Sequence, residues 1–129
     1  MIERTIKSWH QAIENISEEA LAEVLADDVV FHSPVVHTPQ EGKKRTSMYL
    51  ESALSVLKNE AFVYKREVLD GMNAMLEFST EIDGIIINGV DIIRCDERGK
   101  IVDFKVMIRP LQAINLVHKK VGEMLSLSK

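Results

Sequence analysis

The residue best suited to chemistry is Asp91, which lies in the middle of an otherwise apolar strand-like segment, residues 85–93. Because both sides of this segment are apolar, we expect a central strand that is buried on both faces. An ionised carboxylate is costly in an apolar interior, so Asp91 must be paired, hydrogen-bonded, protonated or open to a water-filled cavity. An apolar site would also raise its pKa, which suits a carboxyl group to donate a hydrogen bond or to act as a base near neutral pH.

Two interpretations of Asp91 stay open from the sequence. In the first, the residue is structural and forms an ion pair with Arg94, Arg109 or Lys105, or lies half-exposed at a sheet edge. In the second, it is the polar contact of a ligand pocket and serves as a general acid or base.

The second candidate is His32, which follows the apolar residues of the short strand at residues 29–33. Histidine titrates near neutral pH and can exchange protons, although a lone histidine can equally be a hydrogen-bonded structural residue. It could act with Asp91 only if the strand turned its ring inward. No pair of histidines has metal-ligand spacing with a carboxylate, so we expect neither a metal nor another cofactor.

Composition predicts one domain over residues 1–129, because a chain with 46% hydrophobic residues and this length can bury a sizeable core. The longest apolar run is too short for a membrane span, and no signal peptide is apparent, so we expect a cytoplasmic protein. The single cysteine, Cys95, excludes an internal disulfide. A net charge of −4 with interspersed signs argues against nucleic acid as a partner, and no membrane partner is expected.

Apolar periodicity and turn signals predict an α+β domain that would position these side chains. Residues 1–27 form two helices, the second starting at Ser17 and stopping at Asp27 and Asp28. A strand at residues 29–33 and a helix at 43–58 follow. Two Asp-Gly turns and a turn at residues 96–99 then separate four strands, at residues 62–69, 74–82, 85–95 and 101–109, and a helix begins at Pro110. This order predicts an antiparallel sheet with helices on one face.

Four motifs resemble the SnoaL-like proteins of the nuclear transport factor 2-like superfamily. They are LADDVVFHSP at residues 25–34, GK at 42–43, GVDIIRCDERGKI at 89–101 and VMIRP at 106–110. The resemblance implies a cystatin-like α+β fold, in which N-terminal helices wrap a curved antiparallel sheet into a cone with an apolar pocket. It also implies a homodimer formed through the outer face of the sheet.

The resemblance further implies roles for single residues. Ketosteroid isomerase, a distant relative, has a pocket carboxylic acid on a strand similar to the one that carries Asp91. Its catalytic base, an Asp before a Pro, is replaced here by Ser33, and Trp9 falls near its tyrosine donor. SnoaL-type cyclases use an Asp and a His to take and return a proton, which gives Asp91 and His32 as the catalytic pair.

Strand alternation places Gly89 and Ile93 on the same face as Asp91. A ligand site there would need a cavity of roughly 300 Å³ or more. The same residues would look identical in sequence if they formed an ordinary closed core. With the positions that the resemblance adds, the predicted ligand-binding residues are Trp9, Leu76, Phe78, Thr80, Ile93, Phe104, Val106 and Ile108.

Two functions are compatible with the sequence. The first is a pocket protein for a small, largely apolar carbonyl or hydroxyl compound, with acid–base isomerisation, cyclisation or addition of water at Asp91 if it is catalytic. The alternative is a non-enzymatic dimeric binding or adaptor domain that uses its outer sheet face. Exposed apolar residues on that face would favour it, and the expected ones are Val63, Leu69, Ile86 and Ile92.

Overall fold

Helices cover one face of a six-stranded, curved and unclosed sheet in the computed structural model, which describes residues 1–127. The helices are α1 (Ile2–Ala12), α2 (Glu18–Val24), α3 (Lys43–Leu57) and α4 (Leu111–Leu127). The strands are β1 (Leu25–His32), β2 (Gln40–Glu41), β3 (Val63–Asp70), β4 (Asn73–Ile82), β5 (Ile85–Cys95) and β6 (Ile101–Arg109), in the order β2-β1-β6-β5-β4-β3. No helix in the described range is long and apolar enough to cross a bilayer.

Strands β3 to β6 form the antiparallel meander that the turn signals predict. Gly71 and Gly84 have positive φ angles of 59° and 79°, which the hairpin turns require and glycine adopts without strain. Strand β5 pairs with β4 along its length and with β6 from Asn88 onward, so it is the central strand predicted for Asp91. We call the face under the helices the inner face and the opposite one the outer face.

Strand β1 differs from the prediction in its start and its direction. It begins at Leu25, so Asp27 and Asp28 lie within the strand instead of stopping a helix. Its register with β6 is interrupted between Leu25 and Val30, which lets both aspartates face solvent without ending the strand. β1 runs parallel to β6, so the sheet is not antiparallel throughout.

Helix α1 is fixed across the sheet by hydrogen bonds to two turns. The Ile2 amide donates to the Gly71 carbonyl at 3.0 Å, and Thr5 Oγ1 donates to the Gly99 carbonyl at 2.8 Å. The apolar face of the helix, with Ile2 and Trp9 fully buried, lies against the core. Trp9 is thereby held over the inner face.

Helix α2 begins where the sequence predicts, because Ser17 Oγ accepts a hydrogen bond from the Ala20 amide at 3.1 Å. Helix α1 ends earlier than its apolar spacing indicates. Ile13 caps it, and Ile16 packs against the core from the connection between the helices.

Strand β3 contains an irregularity that reverses its alternation. Its register with β4 shifts between Tyr64 and Arg66, so one extra residue enters the strand. Before the shift Val63 faces outward and Tyr64 inward, whereas after it Val68 faces outward and Leu69 inward. The prediction that Leu69 lies on the outer face is therefore wrong.

Candidate active site

Asp91 projects from β5 onto the inner face, between its cross-strand partners Leu76 and Val106. The residue is only 6% exposed. Tyr64 Oη donates a hydrogen bond to Asp91 Oδ2 at 2.8 Å, and within residues 1–127 no basic side chain pairs with the carboxyl group. The ion-pair interpretation of Asp91 is therefore wrong. A hydrogen bond from Tyr64, and not an opposite charge, offsets the cost of burying the carboxyl group.

Tyr64 is in turn bound by Trp9. The indole Nε1 of Trp9 donates to Tyr64 Oη at 3.0 Å. Residues from α1, β3 and β5 are thus linked by two consecutive hydrogen bonds, here named the Trp9–Tyr64–Asp91 chain. Trp9 lies near Asp91, as the resemblance implies, but the two side chains are connected through Tyr64.

Aromatic packing holds the Tyr64 ring in place. Phe62 and Phe78 meet it edge to face, with ring centroids 5.1 and 6.4 Å away. The Phe78 ring lies directly over Gly89, where a Cβ atom would be 2.4 Å from Phe78 Cζ and 2.8 Å from the Met107 carbonyl oxygen. Glycine at position 89 therefore makes room for the ring that supports Tyr64.

Burial controls the protonation of this site. It raises the pKa of Asp91 from 3.8 to about 7, and the Tyr64 hydrogen bond opposes the rise in part. Burial, reinforced by the charge of Asp91, also raises the pKa of Tyr64 well above its ordinary value. Tyr64 therefore stays a hydrogen-bond donor, while Asp91 is divided between its neutral and ionised forms near neutral pH.

A narrow apolar cavity of about 50 Å³ lies between the inner face, α3 and α4. It has room for a few water molecules but is smaller than the roughly 300 Å³ expected of a ligand site. Asp91 does not line it, although its neighbours Trp9 and Val106 do. Of the predicted ligand-binding residues, the cavity is lined by Trp9, Phe104, Val106 and Ile108. The others are buried on the inner face outside it, namely Leu76, Phe78, Thr80 and Ile93.

The structure does not bring His32 and Asp91 together. Phe31 occupies the inner side of β1, so the adjacent His32 points to the outer face. There its Nε2 lies 3.0 Å from Asp103 Oδ1, and both side chains are partly exposed. A catalytic role for His32 would require its ring to point inward, and it does not. Only a one-residue shift in the register of β1 would bring the ring to the inner face.

The outer face carries a second hollow, of about 440 Å³. Its apolar floor includes Val68, Met75 and Met107, which are 60%, 49% and 48% exposed. Polar side chains border it, among them the ion pair in which Arg66 Nε lies 2.7 Å from Glu77 Oε1.

The outer-face residues predicted from the sequence are partly confirmed. Val63 and Ile86 are exposed, and Ile92 is half-buried. The methionines of the outer hollow were not anticipated, because the sequence favours a core position for methionine.

Sequence reasoning also missed Tyr64, which lies two strands away from Asp91 in the sheet. The signal was a tyrosine directly after the apolar Phe62 and Val63, since a buried phenol needs a hydrogen-bond partner. No group of three or more His, Cys, Asp or Glu side chains within residues 1–127 could hold a metal ion.

Comparison with known proteins identifies the family. The sequence profile of the SnoaL-like domain matches residues 6–104. A steroid delta-isomerase from Pseudomonas aeruginosa is 35% identical, with a TM-score of 0.91 over 98% of this chain and 93% of its own. An uncharacterised protein with a cystatin-like fold from Silicibacter pomeroyi is 26% identical, with a TM-score of 0.87 over 95% of this chain and 85% of its own. A search of curated protein sequences gives no significant match.

A more distant structure agrees in fold alone. An NTF2-like protein of unknown function from Mesorhizobium loti is 16% identical, with a TM-score of 0.71 over 84% of this chain and 91% of its own. The family profile covers most of the chain, and the six-stranded curved sheet with its helices matches these structures. The chain therefore belongs to the SnoaL-like family of the nuclear transport factor 2-like superfamily.

Proposed function

We propose that this protein binds a small, largely apolar carbonyl compound in its cone and moves a proton on it with Asp91. The observation that carries the proposal is a buried carboxyl group that has no counter-ion within the described residues and a pKa raised to about 7. Such a group can both take and return a proton at neutral pH. The 35% identity to a protein named steroid delta-isomerase supports the same class of chemistry.

The reaction that fits is the migration of a carbon–carbon double bond into conjugation with a ketone. The ionised Asp91 removes a proton from the carbon next to the carbonyl group, and the electron pair delocalises onto the carbonyl oxygen as an enolate. The neutral Asp91 then returns the proton to the far end of the double bond, and the enolate collapses to the conjugated ketone. No atom is gained or lost.

Asp91 serves in both steps because no other carboxyl group is available: none lines the adjacent cavity. Ser33 stands at the end of β1 and lines the cavity, but its Oγ accepts a hydrogen bond from the Val35 amide at 3.1 Å. A serine without an adjacent base cannot take a proton from carbon. This differs from an isomerase that divides the roles between two carboxyl groups.

Ligand entry requires the cavity to widen toward Asp91. The walls at which this can happen are α3 and α4, which contribute Leu54 and Val117 among other apolar side chains. An outward shift of either helix would enlarge the cavity beside Val106, the cross-strand partner of Asp91.

A β,γ-unsaturated steroid ketone tests the proposal, because its isomerisation produces a conjugated ketone with strong ultraviolet absorbance. We expect turnover by the wild type and a loss of at least about 100-fold in Asp91→Asn, as for removal of a general acid–base. Asp103→Asn is the matched control, since it removes a carboxyl group from the opposite face. Equal rates in wild type and Asp91→Asn would contradict the catalytic role of Asp91. If the wild type bound the ketone without converting it, the catalytic role would be rejected and the protein would be a ligand-binding protein.

We also propose that the protein is a homodimer joined through the outer face. Three exposed apolar side chains, Val68, Met75 and Met107, surround a hollow there, which is uncommon for a surface that stays in water. The alternative function, an adaptor domain without catalysis, would use the same surface for a different protein partner.

A further inference from the structure

We infer that Tyr64 and Trp9 are positioning residues that reserve one oxygen of Asp91, Oδ1, for the ligand. The inference deepens the proposed function, since it takes Asp91 as the group that meets the ligand. It adds two residues, a direction for their hydrogen bonds and the identity of the reacting oxygen.

The direction of the Trp9–Tyr64–Asp91 chain follows from the chemistry of its first member. An indole N–H can only donate, so Tyr64 Oη must be the acceptor in the bond from Trp9. The phenolic proton of Tyr64 then needs an acceptor of its own. Within residues 1–127 that acceptor is Asp91 Oδ2. Trp9 thereby orients the Tyr64 hydroxyl toward the carboxyl group.

The other carboxyl oxygen remains available. Asp91 Oδ1 has no hydrogen-bond partner within residues 1–127. In the same range, Thr46 Oγ1 is the one fully enclosed side-chain polar atom without a partner, so Asp91 Oδ1 keeps some accessible surface. It is the oxygen left without a partner for a ligand once the cavity widens toward Asp91.

This arrangement selects for a neutral ligand with a carbonyl oxygen. When Asp91 is neutral, Oδ2 still accepts from Tyr64, so the acidic proton resides on Oδ1 and is presented as a donor. A ketone oxygen can accept it, whereas an ammonium group has no lone pair to do so. When Asp91 is ionised, Oδ1 is the oxygen that accepts a proton from carbon, because Oδ2 is bound to Tyr64.

The single tryptophan of the sequence makes the chain measurable without a ligand. The indole N–H of Trp9 is two hydrogen bonds from Asp91, so its NMR chemical shift should follow Asp91 ionisation, with a midpoint near pH 7. Two titratable groups lie next to Tyr64: His10 on α1, whose ring centroid is 5.3 Å from that of Tyr64, and its partner Glu67 on β3. Leu76 on β4 and Val106 on β6, the strand neighbours of Asp91, are apolar. His10→Gln therefore removes the histidine ring that contacts Tyr64, so that the indole signal reports on Asp91.

Three variants in the His10→Gln background complete the experiment. Asp91→Asn should abolish the pH dependence of the indole signal. Tyr64→Phe keeps the ring between Phe62 and Phe78, and it should both uncouple the indole and raise the midpoint of the Asp91 carboxyl carbon shift by about one pH unit or more. Tyr49→Phe, which changes a cavity tyrosine not bonded to Asp91, should change neither.

An indole titration that persists in Tyr64→Phe, or an unchanged carboxyl midpoint there, would overturn the inference. If Tyr64→Phe does not fold, the His10→Gln protein alone still tests the inference. An indole chemical shift that does not change with pH in that protein would overturn it. The proposed function fails separately: a coupled indole titration with no steroid ketone bound or turned over would reject that function and leave the hydrogen-bond chain established.

Discussion

At the scale of single residues, a carboxyl group that keeps its proton to about pH 7 affects the stability of the fold as well as its chemistry. The unfolded Asp91 ionises near pH 4, whereas the folded one stays neutral until about pH 7. The folded state therefore binds more protons over this window, so its free energy of unfolding falls as pH rises. The fall is about 1.4 kcal/mol per pH unit, or about 4 kcal/mol in total, and it ends above the folded pKa.

Asp91→Asn isolates this contribution, since the amide oxygen can still accept from Tyr64 but has no charge. We expect the difference in unfolding free energy between variant and wild type to be pH-independent below about pH 3, where the carboxyl group is protonated in both states. It should shift in favour of the variant up to pH 7, and remain constant above. Chemical denaturation at pH 4, 6 and 8 measures it. A difference that does not change with pH would show that the Asp91 pKa is ordinary.

At the scale of elements, the contact between β4 and β5 at Gly89 determines where Tyr64 stands. A methyl group at position 89 would overlap the Phe78 ring and the Met107 carbonyl, so either β6 or the ring must move. We expect Gly89→Ala to lower the free energy of unfolding by about 2 kcal/mol, as for an overpacked core. It should also alter the indole signal of Trp9, because Phe78 supports Tyr64.

Gly122→Ala is the control for that prediction. A Cβ atom at Gly122 in α4 would contact nothing within 4 Å, so this variant should be unchanged or up to about 1 kcal/mol more stable. Thermal unfolding of both variants gives the comparison. Equal stability of Gly89→Ala and the wild type would mean that the Phe78 ring is not held in place by its surroundings.

The elements also show which parts of the fold sequence patterns can predict. The turn signals and apolar runs located β4 to β6 within one or two residues, and the isolated Asp91 indicated the candidate site. The irregularity in β3 has no such signal, because one extra residue leaves composition unchanged while it reverses every side chain beyond it, as at Leu69. Tyr64 was missed for a related reason: its bond to Asp91 depends on the curvature and register of strands that are separated in the chain.

At the scale of the whole molecule, the sheet presents two unlike surfaces. Its inner face is closed by helices around a small cavity and contains the Trp9–Tyr64–Asp91 chain. Its outer face is open and carries the larger hollow, of about 440 Å³. Strand β5 joins the two, because Asp91 projects inward and the adjacent Val90 lines the outer hollow. Occupation of the outer face would therefore restrain the strand that holds Asp91.

The oligomeric state tests the homodimer. We expect sedimentation equilibrium to give a dimer at micromolar concentration. Val68→Asp should weaken the dimer at least about 100-fold, because it would bury a charge in the apolar floor of the hollow. Leu111→Asp, at an exposed apolar residue that does not line the outer hollow, should leave the dimer intact.

The same measurement decides between the two uses of the outer face. A wild-type monomer would contradict the homodimer, and equal weakening by both variants would show that added charge alone lowers association. If Val68→Asp weakens the dimer, the second copy of the chain covers the apolar hollow. Little of that surface would then remain for the partner of an adaptor. Function would then reside on the inner face, where Asp91 is.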